Sequence, residues 1–173
     1  MLRAAAWLVV LGACGAVPDP QLPDAAPSTV ALTLGTVDAS GGGFFPLAGD
    51  QPLVPGAQGG FHVWLKFRVE GLPPSTVRVQ RTARRVRDGA LILLTEGVQD
   101  MGMGAGVWEL PAPLPSFMCP SPIGVNVRDE VVRFTVTLLN VQSGATLGEG
   151  SAEATPRCPG DGQREFCERI CSG

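Results

Sequence analysis

From Phe61 to Glu70 the chain alternates without a break. Phe61, Val63, Leu65, Phe67 and Val69 fall on one side; His62, Trp64, Lys66, Arg68 and Glu70 fall on the other. A helix repeats its faces about every 3.6 residues and cannot separate two such sets, whereas a strand sends them to opposite sides of a sheet. One side meets a core and the other is largely wet. Gly71-Leu72-Pro73-Pro74 ends the run. The same pattern returns at Val131–Leu139, where Val132, Phe134, Val136 and Leu138 oppose Arg133, Thr135 and Thr137.

Other strand signals fill the spaces between turns. Val30, Leu32 and Leu34 alternate with Ala31 and Thr33, and Val77 and Val79 begin a strand running towards Arg84. Ala90–Thr95 is a short apolar run of the kind a buried strand uses, and Ala145–Thr155 is a weaker last strand. Segments near Val107–Leu110 and Ile123–Val127 bring the expected number to seven or eight. The 23 glycines and 16 prolines would break helices but serve the many turns of short strands. The expected fold is all-β: a single antiparallel β-sandwich, immunoglobulin-like, with a jelly roll or small barrel as alternatives and a short disulfide-linked C-terminal helix or tail. Trp64 invites comparison with the core tryptophan of immunoglobulin domains. Its parity, however, puts it opposite the apolar set, so either that face is covered or the analogy fails.

The N-terminus carries an address. Met1-Leu2-Arg3 supplies a charge, Ala4 to Leu11 an apolar run, and Leu11-Gly12-Ala13 leads into Cys14. This is the plan of an export signal, and the run is about half the ~20 residues needed to span a bilayer. Leu11-Gly12-Ala13-Cys14 resembles the lipobox of bacterial lipoproteins, in which the cysteine is acylated and becomes the mature N-terminus. The resemblance implies lipidation at Cys14 and a cell-envelope location, lipid-anchored; ordinary secretory cleavage, for which Gly12-Ala13 or Ala13-Cys14-Gly15 would serve, is the alternative. Gly15 in place of an aspartate after it resembles cargo sent to the outer membrane. Four prolines from Cys14 to Pro27 read as an extended tether. The expected organisation is a signal peptide at 1–13, a tether at 14–28, a sandwich at 29–157 and a cysteine-containing tail at 158–173.

Composition limits the partners. The net charge of −3 argues against nucleic acid. The expected partners are the membrane, through the N-terminal lipid, and an envelope protein, glycan or anionic lipid surface. Twelve of the thirteen basic residues are arginine, and Arg78, Arg81, Arg84, Arg85 and Arg87 cluster. Five guanidinium groups along a strand and its turn could bind phosphates or carboxylates bidentately; the alternative, which we favour, is a solvated strand whose charges discourage edge pairing.

Catalytic chemistry has little to work with. His62 is the sole histidine, so any Ser-His or Cys-His system must use it. No Gly-x-Ser-x-Gly elbow accompanies it, and a strand histidine bonded to a neighbour is the expected role. No catalytic residue, metal site or cofactor is expected, and the chain reads as a non-enzyme. Pro55-Gly56-Ala57-Gln58-Gly59-Gly60-Phe61-His62-Val63-Trp64 resembles a signature of uncharacterised exported bacterial proteins. It implies no activity; paired glycines before a strand allow close backbone approach, with the Gln58 amide or His62 ring pinning the loop. Met101 to Gly106 is a glycine-rich loop with two thioethers and lacks nucleotide-binding spacing.

With Cys14 assigned to lipid, Cys119, Cys158, Cys167 and Cys171 remain. An even number in an oxidising compartment predicts two disulfides. A zinc site would use the same thiolates, but Cys119 is distant in sequence and no Cys-x-x-Cys pair exists. On a helix over Gln163–Cys171, Cys167 and Cys171 stand one above the other. A bond between them is awkward, so each should pair with Cys119 or Cys158 and staple the tail to the sandwich. The expected function is a non-catalytic binding or structural module of the envelope, with an accessory subunit of an envelope or export complex as the alternative and a small envelope enzyme as a third reading.

Overall fold

The computed structural model describes residues 30–101, 106–160 and 162–173; the signal, Cys14 and the tether lie outside them. Eleven strands and one helix are present among the described residues: β1 (Ala31–Thr36), β2 (Phe45–Pro46), β3 (Asp50–Pro52), β4 (Val54–Pro55), β5 (Phe61–Glu70), β6 (Ser75–Arg85), β7 (Leu91–Met101), β8 (Val107–Glu109), β9 (Leu114–Cys119), β10 (Val132–Asn140), β11 (Thr146–Arg157) and α1 (Arg164–Ile170).

They form two sheets. In the first, β2, β1, β5 and β4 lie in that order, and β8 and β9 also pair with β5. The second runs β3-β11-β10-β6-β7. Of the seven principal strands, the first, second and fifth (β1, β5, β9) share one sheet. The third, fourth, sixth and seventh (β6, β7, β10, β11) share the other. This is an immunoglobulin-like sandwich in which the fourth strand has changed sheets, lying with the third, sixth and seventh instead of with the first, second and fifth. One departure from an all-antiparallel sandwich is β3, which runs parallel to β11 with Thr155 opposite Asp50.

The core is what the alternation dictates. Phe61, Val63, Leu65, Phe67 and Val69 of β5 are each at most 1 % exposed and face Val77 and Val79 of β6 and Val132, Phe134, Val136 and Leu138 of β10. Three sequence expectations need correction. Ala90–Thr95 is not a buried strand: it begins β7, an edge strand, with Leu94 59 % and Val98 60 % exposed. Ile123–Val127 is no strand, because Gly124 takes a left-handed φ of 77°. The weak last strand is the longest, twelve residues, because Gly148 and Gly150 let β1 approach closely: a Cβ at Gly150 would stand 2.4 Å from the Leu32 carbonyl oxygen.

The outer face of β5 is covered in part as well, over His62, Trp64 and Lys66, while Arg68 and Glu70 stay exposed. Between β1 and β5 the chain makes an excursion over that face, anchored by buried Leu47 and Leu53. The Leu53 N–H donates to the Arg157 carbonyl at 2.8 Å. Trp64 is therefore half-buried on the outside of the sandwich and is not a counterpart of the immunoglobulin core tryptophan.

Candidate functional site

The glycine motif builds the hairpin from β4 to β5. The Gly56 N–H donates to the Gly60 carbonyl at 2.8 Å, and the Gly59 N–H to the Gly56 carbonyl at 3.1 Å. Gly59 has φ +81°, a conformation glycine adopts without a Cβ penalty. Gly60 is required for a different reason: a Cβ there would stand 2.6 Å from the Cys119 carbonyl oxygen. Gly56 lies against the His62 ring and Phe117, while Gln58 is exposed at the tip. Close backbone packing, and not the Gln58 amide, fixes this loop.

His62 lies beneath the hairpin, 4 % exposed. Its ring meets Trp64 edge-on at 4.2 Å and Phe117 at 5.6 Å. Neither ring nitrogen has a hydrogen-bond partner, which corrects the expectation of a histidine bonded to a neighbour. Burial lowers its pKa, because desolvation disfavours the imidazolium. The residue is a neutral ring in an aromatic cluster, without the hydrogen-bonded nucleophile a general base needs.

Further along the same face is an ion cluster that sequence reasoning missed. Lys66, the sole lysine, is buried, pairs with Glu109 of β8 and donates to the Gly43 carbonyl at 3.2 Å. The Arg68 Nε reaches the other Glu109 oxygen at 2.9 Å, and its guanidinium covers the Phe44 ring at 4.0 Å. Hydrogen bonding from Lys66, with Arg68 assisting, holds the Glu109 carboxyl below its ordinary pKa. A lysine at an outward strand position gave no sign of this, since its carboxylate lies 43 residues away.

Strand parity divides the five arginines. Arg78 and Arg84 are on the outer side of β6, while Arg81 and Arg85 share the parity of core residues Val77, Val79 and Ala83. Each guanidinium has a partner: Arg78 the Glu96 carboxylate at 3.3 Å, Arg84 the Gly89 carbonyl at 3.0 Å, and Arg87 the Glu130 carboxylate at 3.0 Å. Arg81 donates across the sandwich to the Pro115 carbonyl at 3.1 Å, and its burial lowers its pKa. Arg85 grips both oxygens of Asp88 at 3.0 and 2.6 Å and also donates to the Asn126 carbonyl at 2.9 Å. That bidentate bond pulls the Asp88 carboxyl down to about 2. The cluster of the sequence is thus two outward groups, two inward ones and a turn residue.

The cysteines converge. Cys119 at the end of β9 bonds to Cys171, and Cys158 just after β11 bonds to Cys167. Cys167 and Cys171, four apart along α1 and its C-terminal cap, each reach outward to a strand end and fasten the tail to the sandwich.

Clefts mark the surface of the described residues. One of about 380 Å³ lies at an end of the sandwich between Val30, Leu72, Pro73 and Leu147. Another of about 280 Å³ separates the glycine hairpin from Phe166 of α1. A third, of about 140 Å³, lies beside Trp64, lined by Thr36, Asp38, Gln51 and Val54. Asp38 is engaged there in an Asx turn, accepting from the Ser40 and Gly42 N–H groups at 2.9 and 3.0 Å. Met101 is buried, and Met103 lies outside the described residues.

No protein-family model matches the chain, and no curated protein matches it. Among solved structures it is similar to a β-glucuronidase of Bacteroides uniformis, at 15 % identity and a TM-score of 0.41 over 72 % of this chain and 13 % of that one. A calcium-binding mutant of β-glucuronidase 2 from the same organism is similar at 15 % identity and a TM-score of 0.38, with the same coverage. The chain spans about an eighth of the length of these enzymes.

Proposed function

We propose that the chain is a lipid-anchored protein of the cell envelope, held on the outer membrane through acylated Cys14, whose sandwich is a non-catalytic binding or structural module. The observation that carries this reading is the arithmetic of the cysteines. The chain has five, and four of them close two bridges with one another. The one left over is Cys14, at the lipobox-like Leu11-Gly12-Ala13-Cys14. Bridges belong to oxidising compartments, and an unpaired cysteine at this position is the group an acyl transfer would use. The chemistry of the domain agrees with a module that binds or supports: His62 serves an aromatic cluster, and the arginines are engaged by carboxylates and carbonyls of their own domain.

The accessory-subunit reading has one observation in its favour. β7 is an eleven-residue edge strand bearing exposed Leu91, Leu94 and Val98, and an unpaired apolar edge is a template for another chain. Membrane fractionation tests the anchor: Cys14→Ser should release the protein from the membrane fraction or leave an unprocessed precursor. A variant that stays with the membrane and is cut at the same site would refute it. Recovery of a stoichiometric partner in mild detergent, lost in Leu94→Lys, would favour the subunit.

A further inference from the structure

The two bridges are not separate staples. The Cys167 Sγ lies 3.7 Å from the Cys171 Sγ, although the two belong to different disulfides. The sulfurs of Cys158, Cys167 and Cys171 all lie within 4.8 Å of one another, and the fourth, of Cys119, is bonded to the third. Four sulfurs from β9, the end of β11 and α1 therefore share one small volume. Cys167 and Cys171 are fully buried, and Cys119 is 2 % exposed.

A tetrahedral zinc ion with Zn–S bonds of about 2.3 Å sets its sulfurs roughly 3.8 Å apart. One edge of that tetrahedron, Cys167 to Cys171, is already at this length. On reduction the two bonded pairs part, and the Cys119 Sγ, which lies outside the 4.8 Å group of the other three, moves in from its place beside Cys171 to complete the set. Cys167 and Cys171 also have the three-residue spacing common in zinc sites. The sequence separation that argued against zinc, between Cys119 and the tail, is removed by the fold: the Ser121 N–H donates to the Ile170 carbonyl at 3.1 Å, and the Val127 N–H to the Cys171 carbonyl at 3.0 Å. These bonds tie the chain after Cys119 to α1 without the bridges.

We infer that the reduced form of this cluster is a tetrathiolate site for a soft divalent cation, Zn²⁺, exchanging with the bridged form. Two dithiol reductant molecules each give two electrons and two protons to one disulfide and become disulfides themselves. Cys119, Cys158, Cys167 and Cys171 become thiols, and Zn²⁺ displaces four protons to form the tetrathiolate. Two small-molecule disulfides reverse the exchange: each takes two electrons from one cysteine pair and two protons from solvent, leaves as a dithiol, and the ion is released as the bridges close. The tail is then held to the sandwich in both states, by bridges in one and by metal in the other.

Cobalt substitution tests this on the full chain carrying Cys14→Ser, reduced anaerobically with a phosphine that does not compete for metal. Co²⁺ should give the strong visible bands and sulfur-to-metal charge-transfer absorption of a tetrahedral thiolate site, saturating at one ion per chain and displaced by Zn²⁺. Cys119→Ser and Cys158→Ser should each weaken binding at least tenfold. Zn²⁺ at a hundredfold excess over its dissociation constant should shift the folding equilibrium of the reduced chain about a hundredfold, and leave the oxidised chain unmoved. Octahedral or absent cobalt bands would overturn the proposal. So would affinity indifferent to Cys119→Ser and Cys158→Ser, which would mean that the α1 pair alone holds the ion.

Discussion

Gly60→Ala is the sharpest test of how the glycine motif works. The added Cβ would stand 2.6 Å from the Cys119 carbonyl oxygen and 3.8 Å from Pro120. The first contact is well inside van der Waals separation, and the obstacle is backbone, which cannot rotate away as a side chain can. β5 and the end of β9 must therefore separate where Phe61 pairs with Cys119. Over-packing of this kind costs about 1–3 kcal/mol. For a domain of this size the loss corresponds to roughly 3–12 °C in Tm. Gly97→Ala is the control, because a Cβ there meets nothing within 4 Å, and replacing a strand glycine by alanine is neutral or favourable by up to about 1 kcal/mol. Thermal unfolding followed by circular dichroism, with both bridges verified intact, decides it. A Gly60→Ala protein as stable as Gly97→Ala would refute close backbone packing as the reason for the motif.

Two further outcomes follow from the site and one from the core. The fold keeps His62 neutral, with its pKa below the unfolded value of about 6.5. The unfolded chain thus binds a proton first as pH falls, and stability present above about pH 6.5 declines towards the folded pKa; His62→Phe should flatten that decline in urea titrations from about pH 7 to pH 5, and an unchanged slope would contradict it. Arg84→Gln with Arg87→Gln should leave binding to acidic vesicles unchanged, since both guanidinium groups are engaged within the domain; a salt-sensitive loss would restore the arginine cluster as an anion site. Phe134→Ala, at the centre of β10 and 1 % exposed, should cost about 3–5 kcal/mol, and a loss under 1 kcal/mol would mean the core repacks freely.

The sandwich was legible because period-two alternation is imposed by strand geometry itself. β5 and β10 carry it without interruption, and their inward residues are the core. The exposure of β7 is hidden for a related reason: a run of Leu, Ile and Leu says apolar, but not whether a neighbouring strand exists to cover it. The tail was legible through helix geometry, since residues four apart cannot easily bond each other and must reach elsewhere. The site around β5 was not legible. Whether His62, Trp64 and Lys66 face water depends on an excursion from Val37 to Gly60 whose path is set by non-local contacts, Leu53 to Arg157 and Gln51 to β11. The arginine cluster misled because linear proximity ignores parity: Arg84 and Arg85 are adjacent in sequence and point to opposite faces of one strand.

The fifth cysteine decides whether this sandwich is membrane-tethered. Intact-mass and N-terminal peptide mass spectrometry of the protein extracted from its native membrane reads it directly. The predicted result is a mature chain beginning at Cys14, carrying acyl chains, with Cys119, Cys158, Cys167 and Cys171 all in disulfides. A mature chain that begins elsewhere, or at Cys14 without lipid, would contradict the proposal that this sandwich works tethered to a membrane.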